Sequence, residues 1–227
     1  MKKTLTILTA AFLIFVSAPS LSAQLFVGLG LQAGFDNMPN ANIPIDKYND
    51  RGFLYKRMNK FHWPFGEIYQ ASFALDRGIV MLNLNTRRQR ATAKSTDAGG
   101  IYQRDVRFVM QALSLGGGYA LVDQDAFALY FGGALDFGYM RLLTRSAYTT
   151  QINRTDYQLL RREPMLAGSI FLKMVFRSSR EALTSWSLSP YLHVPMKDFD
   201  FLYLDQILNV GGSSLTRPPL FPHVRSM

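Results

Sequence analysis

FALYFGGALDFGYM, residues 127–140, separates into two lists when read at every second position. Phe127, Leu129, Phe131, Leu135, Phe137 and Tyr139 fall on one side, with Gly133 among them. Ala128, Tyr130, Gly132, Ala134, Asp136, Gly138 and Met140 fall on the other. A period of two is that of a β-strand, whose successive side chains point to opposite faces. One face is large and apolar; the other is small, with a single carboxylate. The fold turns on which face meets solvent, and on what that solvent is.

The same period recurs along the chain. It predicts strands at Leu25–Asp36, Phe65–Asp76, Ile79–Thr86, Asp105–Ala112, Leu166–Arg177 and Trp186–Met196, with a weaker one at Phe199–Leu208. With 127–140 these make eight. After Ala112 the apolar set changes phase, from Val106, Phe108 and Met110 to Leu113, Leu115, Tyr119 and Leu121. Gly116, Gly117 and Gly118 lie inside that change, so a β-bulge or glycine kink is expected there. Short turns are expected near Asp76-Arg77-Gly78, Val122–Asp125 and Ser178–Glu181, and long loops at 37–64, 88–104 and 141–164. Residues 210–227, with Pro218, Pro219 and Pro222, cannot continue a central strand and are read as a tail.

Composition of the second faces decides between two kinds of barrel. A face in bulk water carries Lys, Glu and Thr. Here it carries Gly28, Gly30, Gly34, Ser72, Ala74, Ala128, Gly132, Ala134 and Gly138 between isolated polar residues. Small side chains suit a narrow, filled interior, and the Phe- and Tyr-rich faces suit lipid and its interfaces. The opening residues read as a secretory signal peptide: Lys2 and Lys3, an apolar run from Leu5 to Val16, then Ser20, Ser22 and Ala23. The expected organisation is a signal peptide over 1–23, a barrel over 24–209 and a tail over 210–227. The fold class is all-β, an eight-stranded antiparallel transmembrane β-barrel. A soluble lipocalin-like periplasmic carrier is the alternative, with the apolar faces turned inward. The chain has no cysteine, which excludes disulfides and thiolate metal sites.

Signal peptide, eight alternating strands, long outer loops and absence of cysteine together resemble the small outer-membrane barrels of the OmpA and OmpX kind. The resemblance spans the mature chain and is one of pattern, without a signature motif. It implies residence in the cell outer membrane, turns in the periplasm and loops outside. The chain departs from it at its end, His223-Val224-Arg225-Ser226-Met227. Such proteins usually finish with a strand ending in an aromatic residue.

The formal net charge is +9. Each of the regions 37–64, 87–105 and 141–164 holds five basic and two acidic residues. Arginine forms bidentate, charge-assisted bonds to phosphate. Arg87, Arg88, Arg90, Arg145, Arg161 and Arg162 are therefore candidates to hold lipopolysaccharide phosphates. Other envelope proteins are possible partners of the loops; export argues against nucleic acid. For catalysis the one candidate group is His193 with a serine, Ser189 first, and Asp198 or Asp200 as orienter. That would make a lipid A hydrolase or acyltransferase. A polar interior also collects Ser, Tyr and His, and the expectation is a non-enzymatic binding or structural protein. His62 and His223 are too scattered to suggest a metal site, and no cofactor is expected.

Overall fold

The computed structural model describes residues 24–34, 39–179, 182, 184–196 and 199–210. The expected signal peptide, Asp198, His223 and residues 211–227 of the tail lie outside them. The fold is all-β. Its strands are β1 (Gln24–Ala33), β2 (Leu54–Lys56), β3 (Phe65–Leu75), β4 (Gly78–Asp97), β5 (Gly100–Asp123), β6 (Phe127–Tyr148), β7 (Gln158–Arg177), β8 (Ser185–Leu188) and β9 (Tyr191–Pro195). A helix, α1 (Pro39–Asn49), and a helical stretch formed by Leu202–Asp205 and Gln206–Val210 complete it. All nine strands join one sheet in the order β1-β3-β4-β5-β6-β7-β8. β9 continues the line of β8 along β7, and β2 extends the edge of β4 beyond β3. Each pairing among the described residues is antiparallel.

Three expectations are corrected. The sheet is not closed into a barrel: β1 and the β8–β9 line are its two edges, with no ladder between them among the described residues. Phe199–Leu208 is not an eighth strand. Phe201, Leu204 and Leu208 have helical spacing, and all three are buried with Phe199 in an internal core. Trp186–Met196 is broken at Ser189-Pro190, where proline has no N–H to donate; Leu172 N still bonds the Pro190 carbonyl at 3.0 Å. Among the described residues seven lines of strand remain, an odd number, so β1 and β9 run in the same direction.

The first two short turns lie where expected; the third, Ser178–Glu181, lies partly outside the described residues. The long loops shrink, because β4, β5, β6 and β7 run to 20, 24, 22 and 20 residues. Residues 88–97 and 100–104 are strand, as are 141–148 and 158–164. The expected bulge at Gly116–Gly118 is absent: the three glycines pair in straight register with Ala134, Gly133 and Gly132, and the register shift falls between Ala120 and Val122. From Val106 to Ala120 the faces of β5 do not exchange. What changes is polarity. Val106, Phe108, Met110 and Ala112 point inward and are buried; Leu113, Leu115, Tyr119 and Leu121 point outward and are exposed.

On the Gly100 side of β5 the inward apolar residues pack on a core built from two helical segments. From α1 come Ala41, Ile45 and Tyr48; from the C-terminal stretch Phe199, Phe201, Leu204 and Leu208. Phe108 is its hub, with ring centroids 6.3, 5.8 and 6.2 Å from Phe61, Phe199 and Phe201. Two asparagines seven residues apart on α1 fasten the chain that follows. Asn42 bonds both the N–H and the C=O of Phe61, at 2.8 and 3.1 Å, and Asn49 does the same for Met58, at 2.7 and 2.9 Å. In the other half side chains reach across the interior: Lys173 of β7 donates to the Gln70 side chain of β3 at 2.9 Å.

Phe108→Ala should lower folding stability by about 3–5 kcal/mol, read from urea unfolding. Asn42→Ala removes two bonds from a buried backbone and should cost about 1–3 kcal/mol, with faster hydrogen exchange at the Phe61 amide.

Candidate lipid-binding surface

Register sets the outward side chains of β3 to β7 in rows. Tyr69, Leu84, Leu113, Phe137 and Leu166 form one; Ala71, Leu82, Leu115, Leu135 and Gly168 the next, toward the short turns. Toward the other end, Glu67, Thr86, Gln111, Tyr139 and Pro164 form a mixed row, followed by Phe65, Arg88, Val109, Arg141 and Arg162. The boundary between an apolar band and an arginine belt is therefore one row deep. The band is no folding core: Leu29, Leu135 and Phe137 leave 83%, 48% and 48% of their surface exposed.

The expected phosphate-binding arginines divide. Arg87 points inward and is buried, its guanidinium 5.6 Å from the Tyr191 ring. Arg161 also points inward, 2.7 Å from Glu163 and 3.8 Å from Asp200. Arg88 is outward, exposed and 3.2 Å from Glu67. Arg90 and Arg145 both hold Asp105, at 2.7 and 2.8 Å. Arg162 is outward and stacks on Tyr139 at 3.9 Å. Two arginines outside the expected set join it. Arg141 sits directly opposite Arg162 on the outward face and bonds Gln111. Arg107 lies 4.0 Å from the Tyr157 ring. Arg107, Arg141 and Arg162 form no ion pair among the described residues. Alternation could have found all three, since each falls on the outward phase of its strand.

Asp105 anchors the belt. It is fully buried on the outward side of β5, with Arg90, Arg145, Thr92 and Gln103 donating to its carboxylate at 2.7–3.0 Å. Burial alone would raise its pKa. The hydrogen bonds from Arg145, Thr92, Arg90 and Gln103 outweigh burial and hold the carboxyl below its ordinary value.

His193 is inward and largely buried, as its strand phase predicts, but its partners are not those expected. Its Nδ1 lies 2.9 Å from Asp136 and 3.3 Å from Ser169 Oγ, and Ser169 also donates to Asp136. Ser189 is exposed in the break between β8 and β9. The hydroxyl and the carboxylate share one ring nitrogen, so the relay in which they occupy opposite nitrogens is not formed here. Asp136 also accepts from Ser114, which in turn takes a bond from Asn85. The result is a polar chain from β4 to β9 across the interior wall. No group of metal-ligating residues gathers among the described residues.

Asp105→Ala leaves the largely covered Arg145 guanidinium without its carboxylate and should cost about 3–5 kcal/mol; Arg145→Ala in the same chain should restore part of it. Because the folded carboxyl titrates below its ordinary value of 3.8, the cluster's contribution is complete above that pH. It is lost only as the pH falls through the lower, folded value. Urea midpoints across pH 2–7 should drop at the acid end in the parent and stay flatter in Asp105→Ala. Compared with known proteins, the chain matches no family model, and no curated protein or solved structure is significantly similar to it.

Proposed function

We propose that this protein is an outer-membrane β-sheet protein, exported by its N-terminal segment, that crosses the bilayer with its strands and holds lipopolysaccharide phosphates at its arginine belt. One observation carries the reading: between Val106 and Ala120 the polarity of β5 inverts without any exchange of faces. Apolar residues point outward toward the turn after Asp123 and inward toward the end covered by α1. A strand passing from hydrocarbon into water around a packed core requires that inversion. β6 repeats it, with Phe131 to Tyr139 outward and Met140 and Leu142 inward.

The dimensions agree. Phe127 and Tyr139 are twelve residues apart, about 40 Å along a strand and about 30 Å after the usual tilt, the thickness of a bilayer's hydrocarbon. The filled interior and the core at the outer end argue against a pore. Edges unpaired in hydrocarbon are not tolerated, so the reading requires β1 and β9 to pair in the membrane. Their inner faces already approach: Tyr191 Oη lies 3.5 Å from Gln32 Oε1. A second reading, a lipid hydrolase, has the Asp136–His193 contact in its favour. His193→Ala with unchanged lipid A acylation removes it.

The protein should sediment with outer membranes and run faster on SDS gels before boiling than after. Release into the periplasm with no mobility shift would overturn the proposal. Leu135→Arg should cost about 2–4 kcal/mol of stability in bilayers.

A further inference from the structure

We propose that one lipopolysaccharide molecule occupies a fixed place on the β5–β7 face, with a lipid A phosphate between Arg141 and Arg162 and an acyl chain in a groove beneath them. The inference rests on the membrane reading above and adds a defined site to it. Two independent features of the outward surface meet there.

The first is a groove of about 710 Å³ on the apolar band. Gly117, Gly133 and Gly168 form its floor, and Leu115, Leu135 and Ile170 its walls. Elsewhere the outward positions of these strands carry large side chains, so the three glycines leave a depression where the rest of the band is raised. Conformation does not demand glycine at Gly168: it has no left-handed φ, and a Cβ there would meet nothing within 4 Å.

The second is the pair Arg141 and Arg162. They face each other directly across β6 and β7. Like charges in that relation repel, and neither arginine has a carboxylate partner among the described residues. Arg141 Nε is buried without a hydrogen-bond partner. Stacking on Tyr139 leaves the Arg162 guanidinium edge free to take a planar, bidentate acceptor. A phosphate between the two would turn a repulsion into a clamp.

Depth links them. Gly168 is six residues from Arg162 on β7, about 20 Å along the strand and about 14 Å in depth at the usual tilt. That is one leaflet of hydrocarbon. An acyl chain hanging from a headgroup at the arginines therefore ends in the groove. The core built on α1 and the 199–210 stretch lies on the arginine side, which the membrane reading places outside, where the leaflet is lipopolysaccharide.

The test uses the full mature chain, folded in mild detergent, titrated with bisphosphorylated lipid A and, separately, with phosphatidylglycerol, and read by native mass spectrometry. Expected is one retained lipid A, preferred over phosphatidylglycerol. Retention should fall at least tenfold in Arg141→Gln/Arg162→Gln, and also in Gly168→Leu, which fills the groove and leaves both arginines in place. Heat-dependent gel mobility should persist in both variants. Unchanged retention in either variant, or equal retention of phosphatidylglycerol, with the mobility shift intact, overturns the site alone. Loss of the mobility shift in the parent chain overturns the membrane reading itself.

Discussion

A β-strand cannot rotate its side chains independently: alternate residues belong to one face along its whole length. Most of this structure follows from that constraint. Where a long strand serves two environments, its composition must change partway while its geometry does not. β5 does this at Ala112–Leu113, inward Ala112 ending one regime and outward Leu113 opening the other. Once the outer half has turned its apolar residues inward, something must cover them. The chain supplies α1 from the first connection and the 199–210 stretch from the end, and Phe108 joins both to the sheet.

The same constraint sorts the charges. Outward positions beyond the apolar band take arginine, whose guanidinium there stays outside the packed core. Inward charges must find partners. Arg161 finds Glu163; His193 finds Asp136; Lys173 finds Gln70 Oε1 across the interior. Asp105 is the exception that tests the rule, outward yet fully buried. Arg90, Arg145 and the residues around Tyr157 cover it, and four donors satisfy it. The cluster fixes β4, β5 and β6 to one another above the band, where the ladder alone would be exposed to water on that side.

Much of the sheet was legible in the alternation of 25–33, 65–75, 127–140 and 166–177, because each of those runs keeps one environment. The outer halves were not. Arg87-Arg88-Gln89-Arg90 reads as a loop by its charge, yet outward arginines with inward Ala91 and Ala93 are what a strand in water over a packed core requires. The change of phase near Gly116 reads as a bulge for the same reason. Phe199–Leu208 is too short for a period of two to be told from one of 3.6. At the site, the inward phase of His193 was readable, but Asp136 and Ser169 stand 57 and 24 residues away and reach it only through β6–β7–β9 pairing.

The odd number of strand lines locates the weakest part of the sheet. With seven lines the two edges run the same way, so any ladder between β1 and β9 is parallel, with slanted bonds somewhat weaker per residue than the antiparallel ones elsewhere. β9 contributes five residues and β8 four, separated by a proline. Their hold on β7 is therefore short, and the side chains reinforce it: His193 ties β9 to Asp136 on β6 and Ser169 on β7, and Tyr191 reaches Gln32 on β1. The imidazole that looks catalytic in isolation sits where an edge strand most needs a polar tether. In a low-dielectric interior a carboxylate–imidazole contact is strong enough to provide one.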